Sequence, residues 1–206
     1  MGESAAPLSA PKTDPFPAAP PPSAPSDSGS CSISSPSSAA SAPALASFAS
    51  LGLSEPTRTV PPTFVPPQPV HAYIALGSNL GDRAAHLRFA LTTLAATPGF
   101  FLLRVSRFHE TAPVGGPPGQ GPYLNAAALL STTLSPRALL DTLLDIESRA
   151  GRTRSVPNAP RTLDLDLLLY ADLAITTPDL QVPHPRMWTR SFVVEPLAEC
   201  VARPRG

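Results

Sequence analysis

From Val70 onward the apolar residues of this chain recur with two periods, and before it with none. VHAYIAL (70–76) is a short apolar run closed by Gly77, which predicts a first strand. The turn GSNLGD (77–82) follows, and Asp82 is suited to cap a helix over 83–96. Within that helix Leu87, Leu91 and Leu94 fall on one face, and Thr97-Pro98-Gly99 ends it. FFLLRVSRF (100–108) predicts a second strand. A Gly/Pro-rich loop, HETAPVGGPPGQGP (109–122), separates it from a third, YLNAAALLSTTL (123–134). Ser135-Pro136 sets an N-cap before a first-turn proline, and the helix they begin should run to Gly151, which suits the left-handed residue after a helix end. The loop 151–161 then leads to a fourth strand in TLDLDLLLY (162–170). Beyond Tyr170 the pattern weakens to a short hairpin and the segment PHPRMWTRSFVVEPLAE (183–199).

The order β-α-β-β-α-β is the split, ferredoxin-like arrangement: an α+β fold with an antiparallel sheet and helices on one face. Residues 70–206 are enough for one core and form the single expected domain. Residues 1–69 hold 16 of the 29 prolines and 15 serines but only six charged residues, with no periodic run. Such a segment cannot bury enough apolar area to offset the ordering of its backbone, so a disordered tail is expected over 1–69. PPTFVPPQP (61–69) reads as a stiff linker, with polyproline II docking as the alternative. No basic start precedes an apolar run, so the tail does not read as an address signal.

Charge narrows the function classes. Residues 70–206 carry 13 Arg, no Lys and 11 Asp plus Glu, too balanced for a nucleic-acid surface. The absence of lysine there removes the Walker loop and the protein-kinase strand lysine. Cys31 and Cys200 fit neither a metal spacing nor a disulfide framework. No membrane span is expected, and a cytoplasmic monomer is the default.

The chemistry concentrates in the fourth strand. Asp164 and Asp166 are two residues apart, so they share a face opposite Leu163, Leu165 and Leu167. Adjacent carboxylates repel and are costly to desolvate, so positive charge should lie near them. Arg149, Arg152, Arg154 and Arg161 precede or adjoin them. Ion pairing alone would account for any one of these arginines. Together with same-face carboxylates they suit a Mg²⁺–polyphosphate ligand, with arginine forks on phosphate oxygens. A two-metal phosphodiester hydrolase or a ligand-binding module with a structural Asp pair remain alternatives at this point. GSNLG (77–81) is weak as a phosphate loop, and His184 between prolines is by itself more often structural.

YIALGSNLGDR (73–83), ETAPVG (110–115) leading into YLNAA (123–127), PRTLDLDLLLY (160–170) and VPHPRMWTRSFVVEPLAE (182–199) occur in the order found in the 6-hydroxymethyl-7,8-dihydropterin pyrophosphokinases of folate biosynthesis, which this chain resembles over 70–199. The resemblance implies a ferredoxin-like fold and transfer of pyrophosphate from ATP to the pterin hydroxymethyl oxygen, releasing AMP. It implies that Asp164 and Asp166 bind two Mg²⁺ ions, with an aspartate also facing the substrate hydroxyl. Arg152 and Arg161 match phosphate-neutralising arginines, His184 and Arg190 phosphate-side contacts, and Glu147 a residue of the nucleotide pocket. Tyr123 and Phe192 match the rings that sandwich the pterin. Thr111 and Asn125 match its hydrogen-bond partners, helped by backbone near Ala112 and Val114. The chain departs from some members at Asn158 and Pro185, where they carry aromatic residues on the ATP side.

Overall fold

The computed structural model describes residues 46–153 and 159–202. Its largest sheet is built from strands β2 (Val70–Ser78), β3 (Phe100–Val105), β5 (Tyr123–Thr132) and β6 (Asp164–Tyr170), in the order β3-β5-β2-β6 with antiparallel neighbours. A short strand β4 (His109–Thr111) pairs with the start of β5. Between β2 and β3 runs helix α2 (Arg83–Ala96), and between β5 and β6 helix α3 (Pro136–Arg149). The strand-helix-strand-strand-helix-strand order expected from periodicity is thus present, with β4 added inside what was expected to be loop.

The local signals act as expected. Asp82 accepts a hydrogen bond from Ala85 N at 2.9 Å, and Ser135 accepts one from Ala138 N ahead of Pro136. Gly151 follows the end of α3 with φ 75°, a conformation open to glycine at little cost. The expected hairpin after Tyr170 is β7 (Leu173–Thr176) with β8 (Gln181–Val182).

Two expectations are overturned. Helices were expected on one face of the sheet, but both faces are covered. Ala72, Ile74, Leu76, Ala126, Ala128 and Leu130 join a core with Leu87 and Leu94 of α2 and Leu139, Leu143 and Ile146 of α3. The alternate residues Ala127 and Leu129 join a second cluster with Val193, Leu197 and Cys200 of α4 (Ser191–Val201). The physical reason is visible in β5, where Asn125 through Leu130 are all buried, as a strand sandwiched on both sides requires. Cys200 is a free, buried thiol whose Sγ donates to Ala127 O at 3.3 Å, and burial pushes its pKa up to about 11.

The second correction concerns the end of the proline-rich segment. Residues 1–45 lie outside the described residues, but 46–69 pack on the domain. Helix α1 (Phe48–Leu51) lies against the second cluster, and β1 (Arg58–Thr59) adds to β7 in parallel. Thr57 N donates to Asp172 O at 2.8 Å and Val60 N to Ala174 O at 3.0 Å. Val60 is buried, and Phe64 packs on the main core beneath the Arg58 guanidinium, 4.9 Å from the ring centroid. A segment too poor in apolar residues to build its own core needs only a few of them to join one built by others. No helix among the described residues is long and apolar enough to cross a membrane.

Candidate functional site

The site forms where the C-terminal end of β2, the start of β5 and the start of β6 meet at one edge of the sheet. Antiparallel pairing sets Gly77 opposite both Asn125 and Asp164, and Ala75 opposite Asp166. Space at Gly77 is tight: a Cβ would lie 3.1 Å from Asn125 Oδ1, so that amide would have to give by a few tenths of an ångström, and 3.9 Å from Asp164 Cβ. Leu163, Leu165 and Leu167 are buried behind, while Asp164 and Asp166 face a cavity of about 270 Å³, as strand alternation predicts.

The cavity gathers nearly the whole expected set. Thr111, Ala112, Val114, Tyr123, Asn125, Arg152, Arg161, Asp164, Asp166, His184, Arg190 and Phe192 all line it. Glu147 lies behind, lining an adjoining hollow of about 560 Å³ that shares Arg152, Asp164 and Asp166. Arg149 is not brought in: it sits exposed at the end of α3, 3.5 Å from Asp145. Arg154 and Asn158 lie outside the described residues. Pro185 is exposed and does not line either hollow.

The two aspartates are not equivalent. Asp164 is clamped by two arginines, with Arg152 Nη1 2.7 Å from Oδ1 and Arg161 Nη1 2.7 Å from Oδ2. Arg152 is itself held by the carboxylate of Glu147, which also accepts from Leu165 N at 2.7 Å. This places a buried acid and a backbone N–H behind the arginine and fixes its direction. The Asp166 side chain has no hydrogen bond or ion pair among the described residues. Burial raises its pKa, and the neighbouring Asp164 charge raises it further, against the opposing pull of His184, Arg190 and Arg152. Burial lowers the pKa of His184, with the charges of Arg190 and Arg186 adding to the shift. Its Nδ1 accepts from Arg186 N at 3.2 Å, consistent with a neutral ring. Arg190 is likewise lowered by burial and then by Arg186.

The cavity also has uncharged lining. Asn125 is buried and donates through Nδ2 to Thr111 Oγ1 at 2.8 Å, across the β4–β5 pair. Tyr123 lies two residues before it on the same face of β5. Phe192 enters from the first turn of α4, with the Arg190 guanidinium 5.6 Å from its ring centroid. The cavity therefore offers cations and carboxylates together with rings and a few fixed polar atoms, one guanidinium lying over the Phe192 ring. A flat, polar heterocycle bearing or meeting a polyphosphate fits that combination.

Sequence reasoning missed three contributors. Asn79 is buried, and its Oδ1 accepts from Arg161 N at 2.8 Å while its own N–H donates to Arg161 O at 3.1 Å. Its Nδ2 donates to Gln120 Oε1 at 3.2 Å, so one amide joins the arginine loop to the glycine-rich loop. Arg83 Nη1 donates to Pro122 O at 2.8 Å and ties the same loop from α2. GSNLGDR thus binds loops to one another through side chains, a role its glycines do not advertise. Arg186, the third, lines the cavity next to His184; its position after PHP was the available signal.

Among the described residues no three His, Cys, Asp or Glu side chains converge as a protein-only metal cage. The donor set fits a different kind of cation. Mg²⁺ takes one or two carboxylates and completes its shell with water and substrate phosphates, and in the half-buried pair Asp164/Asp166 only Asp164 has an ion-pair partner among the described residues.

Comparison with known proteins gives the same direction. The family model described as 7,8-dihydro-6-hydroxymethylpterin-pyrophosphokinase matches residues 73–202. The chain is 48% identical over 128 residues to the 2-amino-4-hydroxy-6-hydroxymethyldihydropteridine pyrophosphokinase of Bacillus subtilis, covering 62% of this chain and 76% of that protein. It is 41% identical over 140 residues to the Synechocystis protein of the same name, with 68% and 71% covered. The Haemophilus influenzae namesake is 43% identical over 130 residues, with 63% and 81% covered.

Proposed function

This chain belongs to the 7,8-dihydro-6-hydroxymethylpterin-pyrophosphokinase family, and from that premise we propose that it transfers pyrophosphate from ATP to 6-hydroxymethyl-7,8-dihydropterin in folate biosynthesis. The hydroxymethyl oxygen attacks the β-phosphorus, the bond from that phosphorus to the α,β-bridging oxygen breaks, AMP leaves, and the hydroxyl proton is released. The observation that carries the reading is that one cavity is lined both by Asp164, Asp166 and their arginines and by the rings of Tyr123 and Phe192.

In this reading Phe192 and Tyr123 stack the pterin, and Asn125 and Thr111 hydrogen-bond it with help from backbone at Ala112 and Val114. Arg152, Arg161, Arg190 and His184 receive the phosphates, with Arg186 beside them. Glu147 holds Arg152 in place for the nucleotide. Asp166, which lines the cavity and has no side-chain hydrogen bond or ion pair among the described residues, would face the substrate hydroxyl. Asp164 and Asp166 would hold Mg²⁺, two ions being expected. Bound there, the metal would neutralise phosphate charge and orient the transferring group. Asp164 is paired with both arginines, so its holding a cation would require those guanidiniums to turn towards the phosphates. The strand order β3-β5-β2-β6 with two crossing helices supports the ferredoxin-like class. A cytoplasmic monomer with ATP and the pterin as its partners completes the proposal.

Equilibrium binding distinguishes this reading from its rivals. The protein should bind the pterin alcohol more tightly with Mg²⁺ and a non-hydrolysable ATP analogue than alone. A phosphodiester hydrolase would ignore the pterin, and a regulatory module would bind it without regard to Mg–nucleotide. Either result would overturn the proposal.

A further inference from the structure

Helix α1 lies outside the family match at 73–202, yet it reaches the segment that carries four of the cavity residues. It has only four residues but is fixed at both ends. Ser47 N donates to Ser50 Oγ at 2.8 Å, Ser50 N donates back to Ser47 Oγ at 3.3 Å, and Gly52 closes the helix at φ 69°. This fixes the direction of Phe48, whose ring meets Trp188 edge-on at 4.7 Å between centroids and 66° between planes. Phe48, Leu51 and Leu53 rest on the cluster that also holds Met187, Trp188, Phe192 and Val193.

Trp188 is in the 3-10 turn Met187–Thr189, between Arg186 and Arg190, which both line the cavity. The turn continues into α4 by hydrogen bonds from Arg190 N to Met187 O and from Val193 N to Arg190 O. Arg190, the residue before α4, has no side-chain cap bond at that helix start. The placement of Arg190 and Phe192 therefore depends on how the turn seats on the apolar cluster, and Trp188, half-buried with the Phe48 ring against it, sits in the middle of that turn. We propose that Phe48 is a positioning residue for the pterin side of the site, acting through Trp188 on Phe192. An arginine can regain a phosphate after a small shift of its backbone, because its side chain has several rotatable bonds. A phenylalanine ring has two and cannot, so the pterin feels the displacement more than ATP does.

This inference rests on the proposed reaction, and its test separates the two. Trp188 is the chain's single tryptophan, so its fluorescence reports the contact without any substrate. In the full chain, Phe48→Ala should move Trp188 emission to longer wavelength and raise the pterin KM by about tenfold, well inside the ~10²-fold that small misplacements can cost. Its ATP KM should change far less, and Phe48→Tyr, which keeps the ring, should restore both readings. Phe48→Leu keeps an apolar side chain without the ring and serves if Phe48→Ala does not fold. Val60→Ala, which loosens the main core away from Trp188, should lower the melting temperature with KM and emission unchanged. A Phe48→Leu or Phe48→Ala protein with wild-type emission and wild-type pterin KM would overturn the proposal, and so would a Val60→Ala protein that raises the KM equally. A wild-type chain that forms no AMP in the presence of pterin would instead overturn the reaction itself.

Discussion

At Asp164 and Asp166 two identical side chains on one face of one strand have different environments. Asp164 neutralises two arginines that are mostly buried, so Asp164→Asn takes the carboxylate from Arg161 and leaves Arg152 with Glu147. It should destabilise the fold by about 2–3 kcal/mol, below the ~3–5 of a fully stranded pair because Arg152 retains Glu147. Asp166 is raised in pKa by burial and by Asp164, so its ionised form is a cost to the folded state at neutral pH. Asp166→Asn should raise the melting temperature by ~2–4 °C, the shift that ~1 kcal/mol gives at this chain length. Both variants should lose about 10²-fold or more in turnover, as removal of a preorganised electrostatic group does. Differential scanning fluorimetry beside a rate assay checks both halves; an Asp166→Asn protein with normal turnover would remove it from the chemistry. The pairing of carboxylates was legible as an i, i+2 spacing, but their inequality was not, since it depends on Arg152 and Arg161 arriving from other elements. At Phe192 the prediction is selective loss of ligand. Phe192→Ala should weaken pterin binding by one to two decades, from ~1–3 kcal/mol of stacking, while ATP titrations change little. Equal weakening of both ligands would argue that the ring is only core.

At the scale of elements, periodic segments were readable and borrowed ones were not. Helices α2 and α3 carry their own caps and faces, and the bounds of β2, β5 and β6 follow from apolar runs. Residues 46–69 have no such period because their few apolar side chains are spaced for contacts on a surface made by residues 70–202. Helix α4 was hidden for a related reason: Pro196 sits inside it, and its N-terminal residue lacks a capping side chain. The packing of the N-terminal segment reverses what its composition suggests about truncation. A chain beginning at Val70 loses Val60 and Phe64 from the main core, at ~1.5–3 kcal/mol for each buried apolar side chain. Its melting temperature should fall by about 10 °C, whereas a chain beginning at Ala46 should melt with the full-length protein. If both truncations melt alike, the packing of 46–69 contributes nothing to stability.

At the scale of the whole molecule, α4 is tied to the β3–β4 connection and the start of β4 by Glu199. Its carboxylate accepts from Arg107 N at 2.8 Å, pairs with the Arg107 guanidinium at 2.8 Å and meets His109 Nε2 at 3.0 Å. The Arg107 hydrogen bonds lower its pKa from 4.5 to about 2. A depressed carboxylate gives stability that is full above its ordinary pKa and is lost as pH falls towards the folded value. Between pH 4.5 and about 2 the wild type should therefore lose melting temperature faster than Glu199→Gln, the two curves converging at the acid end. Parallel curves through that window would show that the tie has no energetic weight. The described residues of the domain build a sheet covered on both faces, and the ends of β2, β5 and β6 bring carboxylates, arginines and rings together. Pterin-dependent pyrophosphoryl transfer is measured most directly as AMP formation from Mg–ATP with and without 6-hydroxymethyl-7,8-dihydropterin. AMP should accumulate only with the pterin, mole for mole with pterin diphosphate. AMP formed at the same rate without the pterin, or ADP in its place, would contradict the account.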